Sequence, residues 1–349
     1  MSEKLKLALI YGGKGLEREV SAVGARNLLP YLNDFETLPI FINEKGLWLI
    51  AKNSSESGER MPDQAADTER VSPLSLDGGG GFTDGNGVIV PIDVAFPLLH
   101  GDFGEDGSVQ GALESAGIPH FGCKAAESGL CHDKIYTKII AESLGIPTAQ
   151  WFPAIGLSAK EAEERIEESL GFPVFVKPAR LGSSFGASPV KRREDFKAIY
   201  EKAKELGGGR VLVERLVDVI SELECVYLKT KSKELFTRIG EIRCSSDFYD
   251  YDTKYKSRDG AEVIALSPLE EKHGKTVRTY SERLKRLIGI RDLSRFDFFL
   301  DSSGRILFNE INTVPGFTPS SLCPALIEAS GEDLGRSLYS AISKRAEEG

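Results

Sequence analysis

A guanidinium, two carboxylates and an amide stand near the C-terminal end of the chain at spacings that can bring them onto one surface. They lie in Arg295-Phe296-Asp297 and in Phe308-Asn309-Glu310-Ile311-Asn312-Thr313-Val314-Pro315-Gly316. Both segments sit in apolar, strand-like runs, Ser294 to Leu300 and Arg305 to Ile311. Asp301-Ser302-Ser303-Gly304 between them reads as a hairpin turn. Side chains two apart on a strand share a face, so Arg295 and Asp297 project together, as do Glu310 and Asn312. Phe296, Phe298 and Ile311 face the other way. Hard oxygen ligands grouped like this suit Mg²⁺, which takes one or two carboxylates plus nucleotide phosphates. A salt-bridged edge hairpin facing solvent would use the same residues, so the pair alone does not decide.

Two further stretches could meet a nucleotide. Phe172-Pro173-Val174-Phe175-Val176-Lys177-Pro178 places a lysine at the end of an apolar strand. Leu181-Gly182-Ser183-Ser184-Phe185-Gly186 follows, a loop of small residues able to bring backbone N–H groups against phosphate oxygens. A plain turn beside a surface lysine is the ordinary alternative. Val211 to Leu216 ends a strand at Glu214, and Glu222 lies eight residues on; acids there can accept from an adenine amino group and ribose hydroxyls. No G-x-x-x-x-G-K-[ST] occurs, and Gly12-Gly13-Lys14-Gly15 lacks the G-x-G-x-x-G spacing. A P-loop enzyme and a Rossmann oxidoreductase are thereby disfavoured.

The elements that must position these groups read as follows. Leu5 to Tyr11 is a strand ending at Gly12-Gly13, followed by a helical pattern from Glu19 to Leu32 and strands Thr37 to Ile42 and Leu47 to Ile50. Ala51 to Gly87 turns polar and Gly-rich and reads mostly as loop or hairpin. Val88 to Leu99 is strand-like and ends at His100-Gly101. This alternation predicts a doubly wound parallel sheet with ligands at the carboxyl ends of its strands. A break follows near Gly122, then a small α+β unit: helices 133–144, 159–170 and 194–206, with strands 174–178 and 211–216. Several strands follow from Glu222, then a helix 276–288, the hairpin and a last helix 334–347.

With 349 residues the chain is long for one core and predicts two or three domains. Its 41% hydrophobic and 28% charged residues are those of a soluble globular protein, and no apolar run is long enough to span a membrane. The N-terminus lacks a signal-peptide pattern, so the expected location is the cytoplasm. Five cysteines without C-x-x-C spacing (Cys123, Cys131, Cys225, Cys244, Cys323) read as reduced thiols. A net charge of −9 argues against a general nucleic-acid binder.

The order lysine, lysine with a Gly/Ser loop, two glutamates, then Asp…Glu-x-Asn resembles the ATP-grasp superfamily. Longer motifs narrow it. Gly12-Gly13 followed by Glu17-Arg18-Glu19-Val20-Ser21, and His100-Gly101-Asp102-Phe103-Gly104-Glu105-Asp106-Gly107-Ser108-Val109-Gln110-Gly111, look like N-terminal signatures of D-alanine–D-alanine ligases. Phe248 to Tyr255 resembles their ω-loop. Asn309 to Thr318 with Ser320-Ser321-Leu322 is similar to their C-terminal signature. The resemblance runs from about Leu5 to Leu334.

It implies an ATP-grasp protein, α/β and α+β, of three domains. These are a Rossmann-like N-terminal domain (1–122) with the first D-alanine subsite, a central α+β domain (123–217), and a C-terminal α+β domain (218–349) with ω-loop and metal site. It implies ATP-dependent joining of two D-alanines through an acyl phosphate, with D-alanine–D-lactate or D-alanine–D-serine ligation as the alternative. By resemblance, Lys134 and Lys177 match the lysines on the α- and β-phosphates, Glu214 and the Leu216 backbone the adenine side, and Glu222 the ribose. Glu224 is the alternative to Glu222, because the connection from Glu214 is one residue longer here. Asp297, Glu310 and Asn312 match the ligands of two Mg²⁺ ions, with Mn²⁺ able to substitute. Arg295 and the Gly316 N–H match the groups that neutralise the acyl phosphate and the oxyanion. Glu17 matches the holder of the first ammonium, with Ser183 and Tyr255 in its network. Lys254 would reach the γ-phosphate, Ser321 and Leu322 anchor the second carboxylate, and His100 and Val20 line the first subsite. A tyrosine at 255 accompanies dipeptide formation in the family. K⁺ activation and a homodimer occur among relatives, whose partners are D-alanine and ATP, with neither nucleic acid nor membrane.

Overall fold

The structure is a computed structural model that describes residues 3–51, 61–64, 68–73, 80–84, 86, 88–244 and 261–349. Three sheets organise them. The first runs in the order β6-β5-β4-β3-β2-β1-β7, from β1 (Lys6–Gly12), β2 (Glu36–Ile42), β3 (Trp48–Ala51), β4 (Thr68–Ser72), β5 (Gly81–Asp84), β6 (Ile89–Pro91) and β7 (Val94–Leu98). Only β1 pairs in parallel, with β2 and with β7; the four strands beyond β2 are antiparallel. The expected doubly wound parallel sheet is therefore half right. The polar stretch read mostly as loop or hairpin supplies β4 and β5, which the backbone ladder holds while Val71 and Phe82 enter the core. The strand expected over Val88 to Leu99 is divided between β6 and β7, on either side of Ile92 and Asp93.

The second sheet has the order β10-β9-β11-β8, from β8 (Trp151–Ile155), β9 (Val174–Pro178), β10 (Ser188–Val190) and β11 (Arg210–Arg215). Val174, Val176, Val211 and Val213 point to one side and pack with helices Ala159–Ser169 and Phe196–Leu206. By the two-residue alternation, Lys177 and Glu214 point to the other side with Leu212.

The third sheet comprises β12 (Val219–Lys229), β13 (Glu234–Phe236), β14 (Gly240–Cys244), β15 (Ala261–Ile264), β16 (Leu293–Asp301) and β17 (Ile306–Asn312). Its core face carries Leu223, Cys225, Tyr227, Phe296, Phe298, Phe308 and Ile311. That face is covered by helix Lys275–Ile288 and by Cys123, Cys131, Ala141 and Ile146. The segment 123–147 thus packs on the third sheet through these residues, while Ile135 of the same segment packs on the second, against Leu212 and Ala179. Helix Leu322–Ala329 packs on β12 of the third sheet and helix Leu334–Glu348 on β7 of the first, and Leu326, Leu338 and Ile342 join both sheets in one core. Cys123, Cys131, Cys225 and Cys323 are buried and unpaired. Among the described residues no helix is long and apolar enough to cross a membrane.

Candidate active site

The C-terminal hairpin forms in the register that alternation predicts. Arg295 lies opposite Asn312 and Asp297 opposite Glu310, while Phe296 pairs with Ile311 on the core side. A bulge follows, because Phe298 pairs with Phe308 and Asn309 is left over. This extra residue lets Phe308 join the core while Glu310 and Asn312 keep the polar face. It also frees the Asn309 side chain, whose Oδ1 accepts from Lys177 Nζ at 3.2 Å. On the neighbouring strand Glu224 lies opposite Asp297.

Arg295 is the centre of charge on this face. Its guanidinium donates twice to Asp297, at 2.8 and 2.7 Å, and lies 3.1 Å from Glu224. Burial opposes its charge, but Asp297 and Glu224 outweigh burial and hold it firmly cationic. Asn312 Nδ2 donates to Asp297 at 2.8 Å.

Lys134 and Lys177 meet this hairpin from different elements. Asp133 caps helix Lys134–Ser143 by accepting from the Ile135 N–H at 3.0 Å, and Arg180 and Arg210 secure its other oxygen. Lys134, at the first helical position, donates to the Leu181 carbonyl at 2.8 Å and lies 3.1 Å from Glu310. Lys177, on β9, lies 2.7 Å from Glu214 Oε2. The Gly/Ser loop closes the cleft: Ser183 and Ser184 adopt left-handed φ angles, and Ser183 Oγ donates to Glu17.

Glu17 comes from the first sheet's side of the cleft, just ahead of helix Arg18–Leu28. Burial pushes its carboxyl above the usual range, against the opposing pull of Ser183 and Lys134. Gly101, at φ +68, passes so close to the Glu17 carboxylate that a Cβ would collide with it. His100 is buried, and burial with the nearby Arg295 charge lowers it to about 4, so its imidazole is neutral. Val20 is buried on the same helix. A Cβ at Gly316 would come within 2.7 Å of Ser321 Oγ, which accepts from the Thr318 N–H at 3.0 Å. Ser321 stands at the N-cap position of helix Leu322–Ala329 without a side-chain capping bond; the Leu322 side chain is in the core, so only its backbone is placed to meet a ligand.

With these groups converging, the comparisons with known proteins become decisive. Residues 6–123 match the family described as D-ala D-ala ligase N-terminus, and residues 140–341 match D-ala D-ala ligase C-terminus. A D-alanine–D-alanine ligase of Thermoanaerobacter sp. (strain X514) is 34% identical over 358 aligned positions, covering 99% of this chain and 97% of that protein. The chain belongs to the D-alanine–D-alanine ligase family. Among solved structures, the VanG D-Ala:D-Ser ligase from Enterococcus faecalis superposes with a TM-score of 0.86 at 31% identity, over 98% of this chain and 100% of that one. D-alanyl-alanine synthetase A from Vibrio cholerae gives 0.83 at 28% identity, over 99% and 100%. The structural neighbours are ligases of the ATP-grasp fold, and this chain shares that architecture of mixed α/β sheets.

Fit for the divalent cation that accompanies ATP can be judged from the ligase's donor set. Asp297 and Glu310 are direct cross-strand neighbours, and the Asn312 amide adds a neutral oxygen. Arg295 and Lys134 already balance those two carboxylates, so a cation bridging to phosphate would enter by competing with them. Hard oxygens with one amide fit Mg²⁺.

Other expected site residues fall less centrally. Glu222 shares the polar face of β12 with Glu224 and is less buried, while Glu224 sits against Arg295. That favours Glu222 over the alternative as the outward, ligand-facing acid. The Leu216 N–H is already donated to the Pro173 carbonyl at 3.1 Å. Lys254 and Tyr255 lie outside the described residues.

Three groups had no role assigned from the sequence. Lys138 is buried and lies 2.5 Å from Glu214 Oε1. Glu105 accepts from the Gly101 N–H at 2.9 Å, and burial beside Glu17 pushes it up to about 7. His132 lies 3.3 Å from Asp102. Glu105 stood inside a quoted motif, which was the available signal. Lys138 has only its spacing of four from Lys134, which places both on one side of the helix.

Proposed function

We propose that this protein joins two D-alanines at the expense of ATP, giving D-alanyl-D-alanine, ADP and phosphate for peptidoglycan precursor synthesis. The observation that carries the reading is that Lys134 and Lys177 each contact the hairpin that bears Arg295 and Asp297. Phosphate-binding charge and carbonyl-facing charge therefore share one surface.

In this reading the carboxylate of the first D-alanine attacks the γ-phosphorus and releases ADP. The amine of the second then attacks the acyl phosphate carbonyl, loses a proton and expels phosphate. Lys134 and Lys177 hold the nucleotide phosphates as point charges, and Glu214 and Glu222 meet adenine and ribose. Asp297, Glu310 and Asn312 would hold Mg²⁺, two ions in the family's pattern, with Mn²⁺ as substitute; the metal supplies charge neutralisation at the phosphates. Arg295 and the Gly316 N–H stabilise the oxyanion, the dominant kind of contribution in such chemistry. Glu17, steadied by Ser183, holds the first ammonium, with His100 and Val20 beside it. Ser321 and the Leu322 N–H receive the second carboxylate. By the resemblance, Lys254 would serve the γ-phosphate and Tyr255 the network of Glu17 and Ser183, and exclusion of water is what a closed ω-loop would supply. The domain division at 122 and 217, a homodimer, K⁺ activation and a cytoplasmic location belong to the same proposal.

D-Alanine-dependent phosphate release from ATP tests the ligase reading first, and a non-catalytic nucleotide binder would show none. Likeness to a D-Ala:D-Ser ligase favours one rival acceptor, and D-lactate is the other. Offering D-alanine, D-serine and D-lactate together at neutral pH should yield mainly D-alanyl-D-alanine. Dominance of either rival product would reassign the acceptor.

Glu17 gives a pH prediction. It holds an ammonium only when ionised, and its carboxyl lies above the usual range. The KM for D-alanine should therefore rise as pH falls, with a midpoint higher than an ordinary glutamate would give. Glu17→Gln should raise KM near neutral pH to about the level the wild type reaches when Glu17 is protonated, and flatten this dependence. A wild-type KM independent of pH down to the ordinary carboxylate range would contradict the assignment.

A further inference from the structure

Helix Lys134–Ser143 carries a second lysine one turn after Lys134, and this one faces the second sheet. Lys138 is 1% exposed, and its Nζ lies 2.5 Å from Glu214 Oε1, while Lys177 Nζ lies 2.7 Å from Oε2. One carboxylate is thus gripped by ammonium groups from two different elements. We propose that Lys138 is a positioning residue for nucleotide binding, which acts by fixing the Glu214 carboxylate between itself and Lys177. The proposal rests on Lys177 and Glu214 being nucleotide contacts.

The geometry separates this role from simple stability. Lys138 is too buried to reach a ligand, so any effect on ATP must pass through Glu214. Lys177 has three N–H donors, and Glu214 and Asn309 take two, leaving one for phosphate. With Lys138 gone, Oε1 loses its partner and the carboxylate is left to Lys177 alone. Glu214 would then draw on the donor that phosphate needs, and its orientation toward the base would no longer be set. A buried ion pair by itself is weak evidence of stabilisation, since a well-packed apolar residue often serves as well. Sharing one carboxylate with a site-facing lysine is what links this pair to the nucleotide. Burial lowers Lys138 even as Glu214 opposes the shift, whereas Lys138 and Lys177 together outweigh burial to keep Glu214 ionised. Two cations act on the one Glu214 anion.

Calorimetric titration with Mg-ATP, in the absence of D-alanine, provides the test. Lys138→Met should weaken ATP binding about tenfold, the scale of one charge-assisted hydrogen bond, and leave the KM for D-alanine unchanged. Adding Lys138→Met to Glu214→Gln should change ATP affinity less than about twofold, because the carboxylate it positions is gone. Lys138→Leu, which likewise cannot donate to Oε1 and should weaken ATP binding to the same extent, serves if the Met variant does not fold, with circular dichroism as the check. ATP affinity within about twofold of wild type in a folded variant would overturn the proposal. So would an equal loss in the Glu214→Gln background. Wild-type phosphate release measured alongside keeps the two questions apart: its absence would sink the ligase reading while the ATP titrations still judge Lys138.

Discussion

Replacing Arg295 with methionine is expected to lower kcat by about 10²–10³-fold, the cost of losing one preorganised oxyanion donor. The measurement is D-alanine-dependent phosphate release at saturating ATP and D-alanine. Methionine keeps much of the side-chain volume, so the loss reports charge rather than a cavity. Arg295 sits in a fork against Asp297 and beside Glu224, so it is positioned before substrate arrives. Removing it has a second consequence. Asp297 and Glu224, opposite one another on adjacent strands, are left without the cation between them. Arg295→Lys restores charge but not the planar fork, and should recover only part of kcat. ATP affinity should change far less than kcat, because the proposed assignment gives the nucleotide phosphates to Lys134 and Lys177 and only the acyl phosphate and oxyanion to Arg295. A methionine variant with kcat within about fivefold of wild type would remove Arg295 from the chemistry.

The hairpin behind this prediction was largely legible. Alternation alone puts Arg295, Asp297, Glu310 and Asn312 on one face, and the register bears that out. What alternation could not show is the bulge at Asn309. Strict period-two reading puts Phe308 on the polar face with Glu310, yet Phe308 is in the core beside Phe298. One inserted residue reconciles them, and no local signal marks it. The antiparallel half of the first sheet was less legible for a related reason. Val71 and Phe82 are isolated apolar residues in polar surroundings, so strand pairing there comes from the backbone ladder rather than from a hydrophobic pattern.

Packing between distant segments was not legible in the sequence. Residues 123–147 follow the N-terminal region in sequence but put Cys123, Cys131, Ala141 and Ile146 against the third sheet. That placement explains how one helix can serve two walls. Its first residue, Lys134, reaches Glu310 on the third sheet, and Lys138 reaches Glu214 on the second. The helix thereby bridges the two sheets, with Ala141 packed on the third, Ile135 on Leu212 of the second, and a lysine reaching a carboxylate on each.

Glu214 is where that tie is most exposed to mutation. Glu214→Gln should destabilise the protein by about 3–5 kcal/mol, the usual cost of breaking a buried ion pair from one side. Glutamine preserves the shape and one acceptor, so packing is nearly unchanged. Lys138 and Lys177 are left buried with no anion between them. Urea unfolding near pH 7 without nucleotide measures the difference, since bound ATP would add its own stabilisation. The pH dependence has a definite sign. Burial works against ionised Glu214, but the two lysines hold its carboxyl at about 2, below the ordinary 4.5. Its contribution is therefore fully present above pH 4.5 and is lost as pH falls through about 2. The gap between wild type and Glu214→Gln should narrow over that window and stay constant above it. Adding Lys138→Met to Glu214→Gln removes one of the orphaned charges and should restore stability rather than lower it further. A double variant less stable than Glu214→Gln would mean that Lys138 contributes mainly through its stem packing, not through the shared carboxylate.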